Sequence, residues 1–299
     1  MTIPGTLFCF GLGYSAMALS RRLDTAGWTV RGTCRKPDRR AALGALGISA
    51  AVFDGSGPMN APPATTDITA TPDILHDVSH VLLSVPPGDD GDPAFRHHAD
   101  DIAATGTVKW VGYLSTTGVY GNRDGDWVDE TSELQPGNER SKRRAAAESD
   151  WLGWGARNGI PVQVFRLAGI YGPGRSVANR IKAGTAQRVS KPGHVFSRIH
   201  VEDIATVLAA SIARPEPGGI YNVCDDEPAA PSDVTAYVCE LLGKAPPPEV
   251  PFADAEMSPM AQSFWAENRR VRNNRIRDVL GVELAFPDYR IGMRAILGG

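Results

Sequence analysis

Residues 6–36 read TLFCFGLGYSAMALSRRLDTAGWTVRGTCRK, and the order of elements in this stretch decides the fold. Residues 6–10 are a short apolar run, followed at once by Gly11-x-Gly13-x-x-Ala16. The next residues place Met17, Leu19 and Leu23 among polar neighbours, the spacing of a half-buried helix, and Gly27 supplies its C-terminal stop. Residues 28–33 predict a second strand and AALGALG a second helix. Working outward, β-rich runs recur at 49–54, 80–85, 108–115, 162–167 and 219–224, alternating with helical stretches such as 143–156.

Alternation of this kind means a parallel sheet with right-handed crossovers. The predicted class is α/β, a Rossmann-type doubly wound parallel sheet with a smaller, mainly C-terminal lobe. Composition changes from Asp225 onward, where prolines and polar residues increase. The expected division is therefore a nucleotide-binding core at 1–170, completed by a helix and strand at about 200–224. Residues 171–199 and 225–299 would form a substrate-binding lobe. The Pro- and Gly-rich segment 55–72 reads as an irregular surface connection.

Hydrophobic residues make up 42% of the 299-residue chain and charged residues 22%, values of a soluble globular protein. A formal charge of −3 argues against nucleic acid or an anionic membrane as the main partner. Cys9, Cys34, Cys224 and Cys239 form neither close pairs nor metal-like spacing, which points to a reducing compartment. A cytoplasmic protein acting on a small molecule follows from these features; a homodimer is a separate expectation.

Between a strand and a helix, the glycine turn predicts a dinucleotide site. Gly11 permits the tight turn, Gly13 lets backbone approach a pyrophosphate, and Ala16 allows close helix–strand packing. The phosphates would sit on the helix N-terminus at Tyr14 and Ser15, where backbone N–H groups and the macrodipole favour negative charge. An NAD site usually carries a carboxylate about twenty residues on. Thr33, Cys34, Arg35 and Lys36 stand there instead, so the cofactor expected is NADP in preference to NAD, with Arg35 pairing a 2′-phosphate. The bland alternative is that Arg35 and Lys36 solvate a loop. Asp54, Ser84–Val85–Pro86 and Ser115–Thr116 should also reach the carboxyl edge of the sheet, where ligands of such folds bind.

GLGYSA (11–16), STTGVYG (115–121), FRLAGIYGPGR (165–175), RIHVEDIA (198–205) and GIYNVCDDEP (219–228) together resemble the extended, or atypical, short-chain dehydrogenase/reductases. This is the NAD-dependent epimerase/dehydratase-like group, and the match in order continues to LGVELAFPDYRIGM (280–293). The resemblance implies an oxidoreductase or epimerase acting on a carbonyl, hydroxyl or sugar-like small molecule. It also implies a Ser/Thr–Tyr–Lys set in which tyrosine is the acid or base. A phenol, with an ordinary pKa of about 10, needs a neighbouring cation for that task.

Carried over by position, Thr116 takes the hydroxyl role. Two registers remain for the rest of the set. Lys142 as the lysine puts Asn138 at the tyrosine, and Arg144 as the cation puts Arg140 there. Neither supplies a phenol. No tyrosine in the chain is followed four residues later by lysine, and only Tyr171 has a basic residue there, Arg175. The candidate catalytic residues are thus Thr116, Lys142 and Tyr171, with Asp126, Asp129 and Glu130 as weaker replacements for the missing acid.

The family's substrate-side asparagine is Gly169 here, which weakens a nucleotide-sugar substrate. Arg166, Arg175, Arg188 and Arg198 remain for an anionic group, and Trp265 for stacking or core packing. Adjacent His97 and His98 point about 100° apart on a helix and do not converge on one metal ion. Two functions stay open: an enzyme with an altered acid, and a non-catalytic NADP(H)-binding redox sensor.

Overall fold

The computed structural model describes residues 4–59 and 73–298, so most of the segment predicted as a surface connection lies outside the described residues. The first elements are β1 (Thr6–Phe10), α1 (Tyr14–Asp24), β2 (Thr29–Cys34), α2 (Pro37–Gly44), β3 (Ser49–Val52), β4 (His80–Leu83), α3 (Pro93–Ala104) and β5 (Trp110–Thr116). The middle of the chain holds β6 (Trp127–Val128), α4 (Glu139–Asn158), β7 (Val162–Leu167), β8 (Gly169–Tyr171), α5 (Val177–Lys182), β9 (Arg188–Ser190), β10 (Arg198–His200), α6 (Val201–Ala213) and β11 (Ile220–Val223). Last come α7 (Pro231–Leu241), β12 (Glu249–Pro251), α8 (Pro259–Trp265), β13 (Arg270–Val271), α9 (Asn274–Asp278) and α10 (Tyr289–Leu297).

Seven strands form one sheet in the order β3-β2-β1-β4-β5-β7-β11. β1 runs parallel to both β2 and β4, β2 to β3, and β4 to β5. This is the doubly wound order, and it reverses at β1 and β4, the point where such sheets open a crevice for ligands. The predicted strands are present within one or two residues at each end. α4 begins at Glu139, earlier than the predicted 143, because the Asn138 carboxamide accepts from Ser141 N at 3.0 Å and caps the helix.

The chain divides into two compact units. The first comprises Met1–Ser115, Lys142–Phe165 and Ile204–Tyr221. The second comprises Thr116–Ser141, Arg166–Asp203 and Asn222–Gly299. Residues Thr116–Ser141, inside the span expected for the nucleotide-binding core, therefore group with the second unit.

In the first unit, Phe8, Phe10, Val81, Leu83, Val111, Tyr113 and Trp151 pack as the core, with Trp154 beside them. Gly32 in β2 sits where any side chain would collide: a Cβ there would lie 2.4 Å from Cys9 O and 2.9 Å from Leu12 Cγ. A glycine inside a strand pattern often marks such a close approach. In the second unit a smaller core joins Tyr171, Ala178, Ile181, Val234, Val238, Tyr289 and Met293 from α5, α7 and α10. Parallel two-stranded pairs β8–β10, β9–β12 and β6–β13 complete it.

Candidate cofactor site and reaction-side residues

Gly11 has φ +93°, a conformation that L side chains rarely adopt, and a Cβ there would meet Val85 Cγ2 at 3.2 Å. The turn is pinned from β2. The buried Thr33 hydroxyl accepts from Gly11 N at 2.8 Å, and Thr33 O accepts from Leu12 N at 2.8 Å. Ser84 N donates to Phe10 O at 2.9 Å, so the ends of β1, β2 and β4 are held together at the switch point. Gly13 is the opposite kind of glycine. It is exposed, its φ is −90°, and nothing lies within 4 Å of where a Cβ would be. Packing does not require glycine there, whereas a ligand lying against the backbone would.

α1 starts at Tyr14 with no side-chain cap on Gly13, leaving its N-terminus suited to phosphate oxygens. Ser15 and Ala16 are buried against the sheet and act by packing. Thr33 likewise braces the turn and is wholly enclosed, so its predicted place as a direct cofactor contact is corrected. Arg35 and Lys36 are exposed just before α2, with Asp38 in the first turn of that helix. Asp54 follows the edge strand β3 and accepts from Ser56 N at 2.9 Å and from its hydroxyl at 2.6 Å. Those bonds hold its carboxyl below the usual pKa.

At the end of β5 the structure separates the two cations that sequence left open. Lys142 is exposed, whereas Arg144 lies on the face of α4 turned to β5. Arg144 donates to Leu114 O at 2.5 Å and to the Tyr113 hydroxyl at 3.3 Å. One helical turn on, the buried Glu148 carboxylate accepts the Ser115 hydroxyl hydrogen. Arg144, not Lys142, is thus the α4 cation at the strand end. Glu148 was missed in the sequence reading because only the fold brings it to Ser115, 33 residues away. Tyr113 is enclosed, and burial pushes its phenol above the ordinary range despite Arg144.

In the second unit the Thr116 hydroxyl accepts from Gly118 N at 3.1 Å, which leaves its hydrogen for an acceptor. A Cβ on Gly118 would meet both Ser141 Oγ at 2.8 Å and Thr116 Oγ1 at 3.3 Å, so this loop packs tightly. The positions where a tyrosine belongs are otherwise engaged. Asn138 caps α4 and donates to Glu267 at 3.0 Å, and the Arg140 guanidinium lies 4.5 Å from the centre of the Phe264 ring.

Tyr171 cannot take the acid's place. It is 4% exposed, inside the core against α10, with its hydroxyl 2.1 Å from where a Cβ on Gly292 would be. Burial pushes its phenol far up, and the neighbouring Asp225, Asp203 and Asp288 push it further in the same direction. Arg198 acts in the opposite sense without outweighing them, whereas an acid–base phenol needs a dominant cation and access.

The remaining predicted groups are largely consumed by structure. Arg166 is buried and donates to the Tyr120 hydroxyl at 2.9 Å, which donates to Asn222 Oδ1 at 2.7 Å. Glu130 accepts from Asn222 N at 2.7 Å, and burial raises its pKa. Asp129 accepts from Thr131 N and Oγ1 within its own turn. Arg198 donates from one guanidinium nitrogen to Phe196 O at 2.8 Å and Ala229 O at 2.9 Å, which braces β10. Arg188 pairs with Glu249 at 3.1 Å. Trp265 is buried, stacked at 5.0 Å on His194 and at 5.5 Å on Phe252, a packing role. Arg175 is exposed in the tight Gly172–Arg175 turn and remains a surface cation.

His98 in the first unit bonds Asp101 at 2.8 Å and accepts from Met59 N at 2.9 Å. Among the described residues no cluster of three or more His, Cys, Asp or Glu is placed to hold a metal, and no helix is long and apolar enough to cross a membrane.

Comparison with known proteins matches residues 101–224 to the NAD dependent epimerase/dehydratase family. Protein YeeZ of Escherichia coli is 28% identical over 289 residues, covering 93% of this chain and 95% of that protein. A solved structure of a conserved protein of unknown function from Silicibacter pomeroyi is 48% identical, with a TM-score of 0.85 and 98% of each chain covered. MoeE5, solved in complex with UDP-glucuronic acid and NAD, is 18% identical with a TM-score of 0.74, covering 97% of this chain and 96% of its own. Family match, sheet order and glycine turn agree: residues 101–224 match the NAD dependent epimerase/dehydratase family, and the chain as a whole has the fold of solved proteins such as MoeE5.

Proposed function

We propose that this protein is an NADP(H)-dependent oxidoreductase or epimerase acting on a hydroxyl or carbonyl of a sugar-like small molecule, by a proton step that uses no tyrosine. The observation that carries the reading is the pair Gly11 and Gly13. One is required by backbone and packing, while the other stands open to a ligand at the switch point. The residues present fit the cofactor. Backbone at Gly11–Ser15 would face the pyrophosphate, Arg35 and Lys36 the 2′-phosphate, and Asp54 the adenosine end. Ser84, Val85 and Pro86 would flank the ribose beside the glycine turn.

When bound, the nicotinamide supplies hydride transfer. The chain supplies binding and orientation, and water would supply or take up the proton. Arg144, braced on Leu114 O, would hold the ribose in place of the family's lysine. Thr116 would orient the reacting oxygen with the hydrogen that Gly118 leaves unused. Losing one general acid costs ~10²–10⁴ in rate, so slow turnover is expected from such a set. Relatives of this fold such as MoeE5 bind UDP-sugars, but Gly169 argues for a different sugar-like ligand here. A Cβ at that position would already lie 3.3 Å from Ser197 O.

A second reading, a non-catalytic NADP(H) sensor, draws support from the enclosure of Tyr171. Turnover of NADP(H) against a panel of carbonyls, aldoses and sugar nucleotides separates the two. In an enzyme Thr116→Ala lowers turnover and leaves NADPH affinity unchanged. An inert panel at every pH favours the sensor.

A further inference from the structure

Glu148 is a carboxylate with 2% exposure on a helix whose opposite face is solvated, and it accepts a hydrogen bond from the Ser115 hydroxyl at the end of β5. A serine hydroxyl has one hydrogen and two lone pairs. An ionised carboxylate only accepts, and burying one without donors is costly. The Ser115 hydrogen is therefore committed inward to Glu148, and what the hydroxyl offers elsewhere is lone pairs.

The position of Ser115 gives this a consequence. β4 and β5 run parallel with Leu83 opposite Tyr113, which sets Ser115 level with Val85. Val85 is the residue whose Cγ2 would lie 3.2 Å from a Cβ on Gly11. Ser115 thus stands at the same edge as the glycine turn, two strands from β1, and keeps 5% of its surface. Around the pair stand Arg144 from α4 and Tyr113 from β5, and Asp92 from the start of α3 faces that same Tyr113 and Arg144.

We propose that Glu148 is a positioning residue that fixes Ser115 as a hydrogen-bond acceptor for the nicotinamide half of the cofactor, taking a hydrogen from its ribose hydroxyl. This rests on the cofactor reading above and adds a residue to it. With the Tyr–Lys pair absent, ribose recognition would pass to an acceptor held by Glu148 and a cation held by Leu114 O.

The test compares two probes on the full chain: NADPH, and adenosine 2′,5′-bisphosphate, which carries the 2′-phosphate end but no nicotinamide ribose. Glu148→Gln keeps shape but can donate, which frees the Ser115 hydrogen and reverses its polarity. Expected is a loss of about 10-fold in NADPH affinity, the upper scale of one neutral hydrogen bond, with bisphosphate affinity unchanged. Ser115→Ala, a small change that avoids a buried carboxamide, should show the same selective loss, and the double variant no further loss. Should either variant weaken both probes alike, or neither probe, the polarity role is wrong while the cofactor reading stands. A wild-type protein that binds neither probe overturns the cofactor reading itself.

Discussion

The two compact units treat their polar residues in opposite ways. In the first, side chains at the carboxyl edge are spent on holding a backbone shape: Thr33 pins the glycine turn, and Arg144 braces Leu114 O. The product is an open Gly13, with exposed cations at Arg35 and Lys36 at the end of β2. In the second, the groups that would serve a substrate are spent on one another. Arg166, Tyr120, Asn222 and Glu130 form one buried chain of hydrogen bonds, and Arg198 is satisfied by two carbonyls. Buried polar groups must find partners, so a motif residue in a substrate lobe is as readily a brace as a ligand. The lesson is that packing does not account for Gly13 in the first unit, whereas most candidate residues of the second are accounted for by it.

The contrast can be broken most forcefully at glycines. Gly292→Ala in the second unit and Gly32→Ala in the first should each cost about 3 kcal/mol or more, since the added carbon meets Tyr171 Oη at 2.1 Å and Cys9 O at 2.4 Å. Thermal melting checks both. Gly13→Val should instead melt with wild type, because space is open there, yet lower NADPH affinity on the order of 100-fold. A Gly13 variant that unfolds would mean the residue is structural, and the contrast between glycines would collapse.

Acid should weaken both units together. Burial, aided by Lys109, lowers His80 to about 4, and burial, aided by Lys191 and Arg269, lowers His194 to about 4. The unfolded chain takes up these protons near pH 6.5 and the folded one does not, so stability falls as pH drops from about 6.5 to 4. His194→Gln should flatten that fall in the second unit only, as read by urea melts at pH 7.5 and 5. At the small end, Tyr171→Phe should change NADPH turnover less than about twofold, because its phenol is enclosed and its bond to Asp288 O is long at 3.5 Å. A large loss of turnover with intact stability would restore Tyr171 as the acid.

Much of this was readable in residues 6–36, where strand, turn and helix are local and the glycine spacing carries its own reason. The parallel α/β class followed from alternation, whereas the order of the strands comes from the structure. What could not be read depends on contacts between distant segments. Glu148 meets Ser115 across 33 residues, Arg166 meets Tyr120 across 46, and Gly292 in α10 makes room for Tyr171 of β8. Tyr171 looked free in the loop sequence YGPGR because nothing local shows that α10 covers it. Arg144 and Lys142 were equivalent on paper, and only the rotation of α4 tells them apart.

The central claim, a working NADP site on the first unit, is tested most directly by titrating the purified chain with NADPH and, separately, NADH. Six tryptophans provide an energy-transfer signal to the reduced nicotinamide. Pairing of Arg35 with the 2′-phosphate should contribute roughly 1.5–3 kcal/mol, a preference of about 10- to 150-fold for NADPH. Arg35→Ala should remove that preference without weakening NADH. Equal affinity for the two would contradict the role of Arg35, and failure to bind either would contradict the account of the glycine turn.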